Sequence, residues 1–175
     1  MFTFITHPVD RAAALYEELK LSAEGQTLNA DLISMTLLDY ANHRLGNGAS
    51  AKGPLSLKEN NFVVRSLAQV PMDVPLHGGH VAHAEQVLKK FALIGSLHDE
   101  ETALTSWKRI QKLYGWRGDE SCIKSLLPKS SETKIAEDSE EYKLLAELNE
   151  YDMVFYDGVQ KNFDDQGRLK IFQNL

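Results

Sequence analysis

Proline at position 8 decides how the chain can begin. The residues before it, FTFIT (2–6), are aromatic or β-branched and suit a short buried strand. Pro8 has no N–H to give a sheet, and its fixed φ fits the first turn of a helix. Beyond it Val9, Ala12, Ala13, Tyr16 and Leu19 recur at helical spacing, with Asp10, Arg11, Glu17 and Glu18 on the other face. FTFITHPVDRAAALYEELK therefore reads as strand, sharp turn and helix. In an α/β protein such a turn lies at the carboxyl end of the sheet, beside a helix N-terminus, a place suited to phosphate.

The rest of the chain is mostly helical in pattern. A second helix is expected from Asn29, as N-cap, through Leu32, Ile33, Met35, Leu37, Leu38 and Tyr40; Gly46, Gly48 and Gly53 then break the chain as far as Pro54. A third helix starts near Lys58, carries Phe62, Val63, Leu67 and Ala68, and stops before Pro71. A fourth turns Val81, Ala84, Val87, Leu88 and Phe91 inward, and FALIG (91–95) supplies the second strand. Asp99 caps a fifth helix, lined by Ala103, Trp107, Ile110 and Tyr114 and stopped by Gly115. Residues 115–138 are polar and long enough for a lid-like loop. A last helix starts near Ser139 and lines up Leu144, Leu148, Tyr151, Phe155, Val159 and Phe163.

The expectation is thus a helix-rich α/β fold with about two strands and about six helices. Two short parallel strands make a poor sheet alone, so residues 1–175 are expected to be the C-terminal part of a larger domain. The first strand would then expose an edge, which invites self-association. A net charge of −6 denies the chain the domain-wide basic surface of a nucleic-acid binder. No apolar run approaches the ~20 residues of a membrane span, and the start lacks a signal-peptide pattern. Cys122 stands alone, so no internal disulfide is possible and the compartment stays open.

Four segments carry a further signal. In FITHPVDRAAALY, Pro8, Asp10, Arg11 and Tyr16 fit the pattern Arg-x-Pro-x-Asp/Glu-Arg-x-x-Ser-x-Tyr/Phe, with Thr6 at the first Arg and Ala14 at the Ser. ENNFVVRSLA places Asn61, Arg65 and Leu67 in an Asn-x-x-x-Arg-x-Leu helix. The run from His80 to Trp116 reads helix, strand, helix and ends in Gly115-Trp116. LLAELNEYDMVFYDGV places Asn149, Asp152, Phe155 and Tyr156 in an Asn-x-x-Asp-x-x-Leu-Tyr helix. In this order and spacing the segments resemble sulfotransferases that use the donor 3′-phosphoadenosine 5′-phosphosulfate (PAPS), above all the carbohydrate-type enzymes and their algal relatives.

The resemblance implies a partial P-loop-type parallel sheet and transfer of a sulfuryl group from PAPS to a hydroxyl, with a carbohydrate as the expected acceptor. The family is associated with the Golgi, whereas the localisation of this chain stays open. The family's Lys/Thr-rich loop for the 5′-phosphosulfate, and the segment with its catalytic base, would lie before Met1. The alternative is an inactive fragment or pseudoenzyme that serves as a binding module.

Sulfuryl transfer needs a base, cationic and N–H stabilisation of the transferred group, and a separate hold on the donor's 3′-phosphate. This chain can offer the third. Arg11 can bind phosphate through paired bonds, or it can sit in a pair with Asp10 or Glu18. Thr6 can donate a hydroxyl, and His7 can donate from the same turn. Arg65, inside an apolar helix, is a donor contact or a structural Arg holding carboxylates or carbonyls. Lys124 and Ser125 lie in the stretch that, by the resemblance, crosses the nucleotide. His77, His80 and His83 in HGGHVAH suggest zinc, but only the last two share a helix face and no Cys is near, so no metal site is assigned.

Overall fold

The computed structural model describes residues 1–23, 34–46, 60–97, 99–126 and 135–173. Strands β1 (Phe2–Ile5) and β2 (Leu93–Ser96) run parallel, with Phe2 opposite Leu93 and Ile5 opposite Ser96. Between them the chain forms helices α1 (Pro8–Ala23), α2 (Leu37–Gly46), α3 (Phe62–Ala68) and α4 (Gly78–Leu88). After β2 come α5 (Glu100–Tyr114), α6 (Glu120–Leu126), α7 (Glu140–Leu148), α8 (Glu150–Gly167) and a 3₁₀ turn at Lys170–Phe172. The fold is helix-rich α/β, with a two-stranded parallel sheet and eight α-helices among the described residues where the sequence suggested about six.

The pleat sends alternate side chains to two different cores. Ile5 and Ile94 face Val64, Val81, Ala84, Leu88, Phe155 and Val159, which α3, α4 and α8 supply. Phe2, Phe4 and Leu93 face Ile110 of α5 and Phe172 of the 3₁₀ turn. Gly95 lies against Phe4 on this second side; a Cβ there would come within 2.6 Å of the Phe4 ring, so the close approach requires glycine. A third core joins Val9 and Ala12 of α1 to Ala41 of α2 and Leu145 of α7.

Several boundaries differ from the sequence reading. β2 is Leu93–Ser96, two residues later than its expected start, because Lys90 and Phe91 donate backbone bonds to Val87 and Leu88 and finish the turn of α4 first. The stretch 115–138 contains helix α6, begun by Asp119 accepting the Ser121 N–H (2.9 Å) and reinforced by a Lys124–Glu120 pair (3.1 Å). Residues 127–134 of that stretch, and the expected starts of the second and third helices (29–33 and 58–59), fall outside the described residues. The expected last helix is two helices, α7 and α8, broken at Asn149 (φ −116, ψ 31). Among the described residues no helix is long and apolar enough to cross a membrane.

Candidate functional site

Thr6 and His7 join β1 to α1, and the Arg11 N–H closes the first helical turn on the His7 carbonyl (2.9 Å). The His7 ring stacks on Tyr142 of α7 (5.9 Å between centroids) and meets Tyr156 of α8 edge-on (5.0 Å). Its Nε2 lies 3.5 Å from the Tyr142 hydroxyl and its Nδ1 4.0 Å from Asp10 Oδ2. At the matching end of β2, the buried Ser96 Oγ accepts from Gln160 Nε2 (3.1 Å) and lies 3.5 Å from the Tyr156 hydroxyl. The carboxyl ends of both strands therefore carry one polar and aromatic cluster, the place a doubly covered sheet offers to ligands.

The field in this cluster is acidic. Burial pushes the Tyr142 hydroxyl up, and the carboxylates of Glu137, Asp10 and Asp157 add to the shift. Burial pushes Tyr156 up as well, with Asp10 and Asp99 adding to it and bonds from Ser96 and Gln160 opposing it.

Arg11 turns away from the cluster. Its Nη2 donates to Asn149 Oδ1 (3.1 Å) and Asp152 Oδ2 (3.2 Å), and its guanidinium lies 5.6 Å from the centre of the Phe62 ring. These contacts belong to a joint in which α3 and α8 cap each other. Asp152, on the first turn of α8, accepts the N–H groups of Val63 (3.0 Å) and Val64 (2.8 Å) at the start of α3. Asn61, just before α3, accepts the N–H groups of Tyr151 (2.8 Å) and Asp152 (3.0 Å) at the start of α8. Each helix thus has two of its open N–H groups satisfied by a side chain at the other's start, and neither residue at its own N-cap does so. Asn61 is held in the left-handed region (φ 53, ψ 46), which Asn tolerates better than most residues. Its N–H donates to Asn149 Oδ1 (3.2 Å), while Asn149 Nδ2 donates back to Leu145 O (2.9 Å) and ends α7. Burial raises the Asp152 carboxyl, against the pull of the Val64 and Val63 N–H groups and of Arg11.

Arg65 is buried and holds the chain after α3. Its Nε donates to Asn60 O (3.0 Å), and its Nη1 donates to Pro71 O (2.7 Å) and Val74 O (2.9 Å). An open groove of 430 Å³ runs past it between Phe62 and Met72. Burial lowers its pKa, while Asp152 and Asp73 help keep it charged. Lys124 pairs with Glu120 (3.1 Å), and Ser125 Oγ donates to Cys122 O (2.7 Å), both within α6.

The fold therefore gathers Thr6 and His7 at the strand ends, draws Arg11 to Asp152, and directs the bonds of Arg65 to the carbonyls of Asn60, Pro71 and Val74. The bonds of Lys124 and Ser125 stay on α6. Tyr142, Tyr156, Ser96 and Gln160 were not foreseen as site residues. Tyr156 and Gln160 are four apart on one helix face, a pattern that could have flagged a polar pair within an apolar stripe. Compared with protein-family models, curated proteins and solved structures, the chain matches none.

Proposed function

We propose that the chain is a domain of the PAPS-dependent sulfotransferase class and that its β1–α1 turn receives the donor's 3′-phosphate. The observation that carries this reading is the joint. Arg11, Asn61, Asn149 and Asp152 come from three of the segments that bear the resemblance, up to 141 residues apart, and close into one hydrogen-bonded network. Motif residues at such separations need a common structural task, and holding the turn against α3 and α8 is one. At the turn the phosphate would meet the first N–H groups of α1 and the Thr6 hydroxyl. The acceptor in this reading is a hydroxyl, with a carbohydrate as the expected substrate.

A second reading is favoured by the position of Arg11 and by the charges of Asp10 and Asp99. With the guanidinium at Asp152 and carboxylates around the strand ends, the turn suits an inactive domain that works as a binding module. Calorimetric titration with 3′-phosphoadenosine 5′-phosphate, and with adenosine 5′-phosphate as control, separates the two. The first reading expects weak binding that requires the 3′-phosphate. Thr6→Arg with Ala14→Ser should then tighten it by on the order of 100-fold, since a charged bond contributes about 1.5–3 kcal/mol and a neutral one about 1 kcal/mol. Equal affinity for both nucleotides, or no gain in a variant that circular dichroism shows to be folded, would favour the binding module.

A further inference from the structure

Helix α4 begins with two glycines, Gly78 and Gly79, and glycine is the residue that costs a helical turn most after proline. The turn is held instead by two histidines. The Gly79 N–H donates to His77 Nδ1 (3.1 Å), and the His77 N–H donates to His80 Nδ1 (3.2 Å). This is a reciprocal capping box built from imidazoles in place of the usual hydroxyl and carboxylate. The two rings lie 3.7 Å apart between centroids. A Cβ on Gly79 would come within 2.9 Å of the His77 ring, so the glycine makes room for the cap it receives. HGGH is one unit: two rings that cap and a glycine that admits them.

An imidazole accepts at Nδ1 only when neutral, with its proton on Nε2. We propose that His77 and His80 form an acid-released cap, in which a proton taken up at Nδ1 of His80 opens the first turn of α4. The proton turns an acceptor into a donor facing a backbone N–H, and it places a positive charge against the neighbouring ring. The surrounding charges push the same way. Loss of hydration, then His77, Arg65 of α3 and His83 in the next turn, hold His80 below the ordinary histidine range. Asp73 of the connecting loop and Asp152 of α8 act on Arg65 and keep it charged. With the folded value of His80 depressed, the cap is intact above the unfolded value of about 6.5 and weakens as pH falls below it.

The test is amide hydrogen exchange by NMR on the full chain, as protection factors at about pH 7.5 and about pH 5 either side of that value. Protection of the His77 and Gly79 amides should fall about fivefold or more on acidification, the usual scale of a lost N-cap. His77→Ser with His80→Glu restores an ordinary capping box and should hold its protection at both pH values. Gly79→Ala should lower protection at neutral pH, despite the better helix propensity of alanine, by displacing the His77 ring. Ring ¹⁵N shifts at neutral pH should report Nε2–H for both histidines. Unchanged wild-type protection, an equal loss in the Ser/Glu variant, or an Nδ1–H ring at neutral pH would each overturn the proposal.

Discussion

Asp152→Ala is the sharpest perturbation of the joint between α3 and α8. The substitution removes the acceptor for three donors at once: the Val63 N–H at 3.0 Å, the Val64 N–H at 2.8 Å and Arg11 Nη2 at 3.2 Å. Val64 is fully buried, so its N–H cannot turn to water. The Arg11 side chain is 20% exposed and recovers part of its hydration. Removing one partner of a buried ion pair costs about 3–5 kcal/mol, and losing two bonds to a charged acceptor at about 1.5–3 kcal/mol each falls in the same range. Single domains have about 5–15 kcal/mol in total, so the variant should lose a large share of its stability. Asp152→Asn keeps one acceptor but turns an NH₂ toward a donor, and should cost about 1–3 kcal/mol.

Urea unfolding followed by circular dichroism, with the slopes compared across variants, measures both losses. Asp165→Ala provides the reference, since its pair with Arg168 is exposed on both sides and is expected to contribute about 0–1 kcal/mol. An Asp152→Ala variant no less stable than the Asp165→Ala variant would refute the mutual capping as a source of stability.

Two further outcomes are expected. Gly95→Ala sets a methyl against the Phe4 ring and should destabilise by about 1–3 kcal/mol, read as a lower urea midpoint at unchanged slope. Glu120 is held below the ordinary carboxylate range by bonds from Lys124 and Lys108, so its contribution to α6 is present above its unfolded value and disappears as pH falls through the lower folded one. Hydrogen exchange in α6 should therefore lose protection on acidification in the wild type, and Glu120→Gln should show the acid level of protection already at neutral pH.

What could be read from the sequence was local. The start of the chain followed from Pro8 between a β-branched run and a helical stripe, and both are visible within twenty residues. The ends of α5 were legible because each cap carries its own signal: Asp99 accepts the Thr102 N–H three residues on (2.7 Å), and Gly115 takes a left-handed φ of 68. The break at Asn149 was hidden because the apolar stripe from Leu144 to Phe163 runs through it without interruption. Its cause is a bond from Asn61, 88 residues earlier. Arg11 presents the same difficulty. Its neighbours in sequence offer Asp10 and Glu18, whereas Asp152 is 141 residues away. Helix α6 escaped notice because one turn's carboxylate and its lysine, not an apolar period, sustain it.

The joint and the strand ends are mechanically linked, and this constrains how the phosphate reading can be tested. Arg11 stands one helical turn beyond His7, so a change at Asp152 or Asn149 also removes side-chain bonds that hold the start of α1 against α8. A loss of nucleotide binding after such a change would report the turn's displacement as readily as a missing contact. Thr6 and Ala14 make none of the joint's bonds, and Ala14 is exposed on α1. A gain in 3′-phosphate affinity from substitutions there cannot come from repairing the scaffold. It can come only from the new donors on the β1–α1 turn and on α1, working against the carboxylates of Asp10 and Asp99.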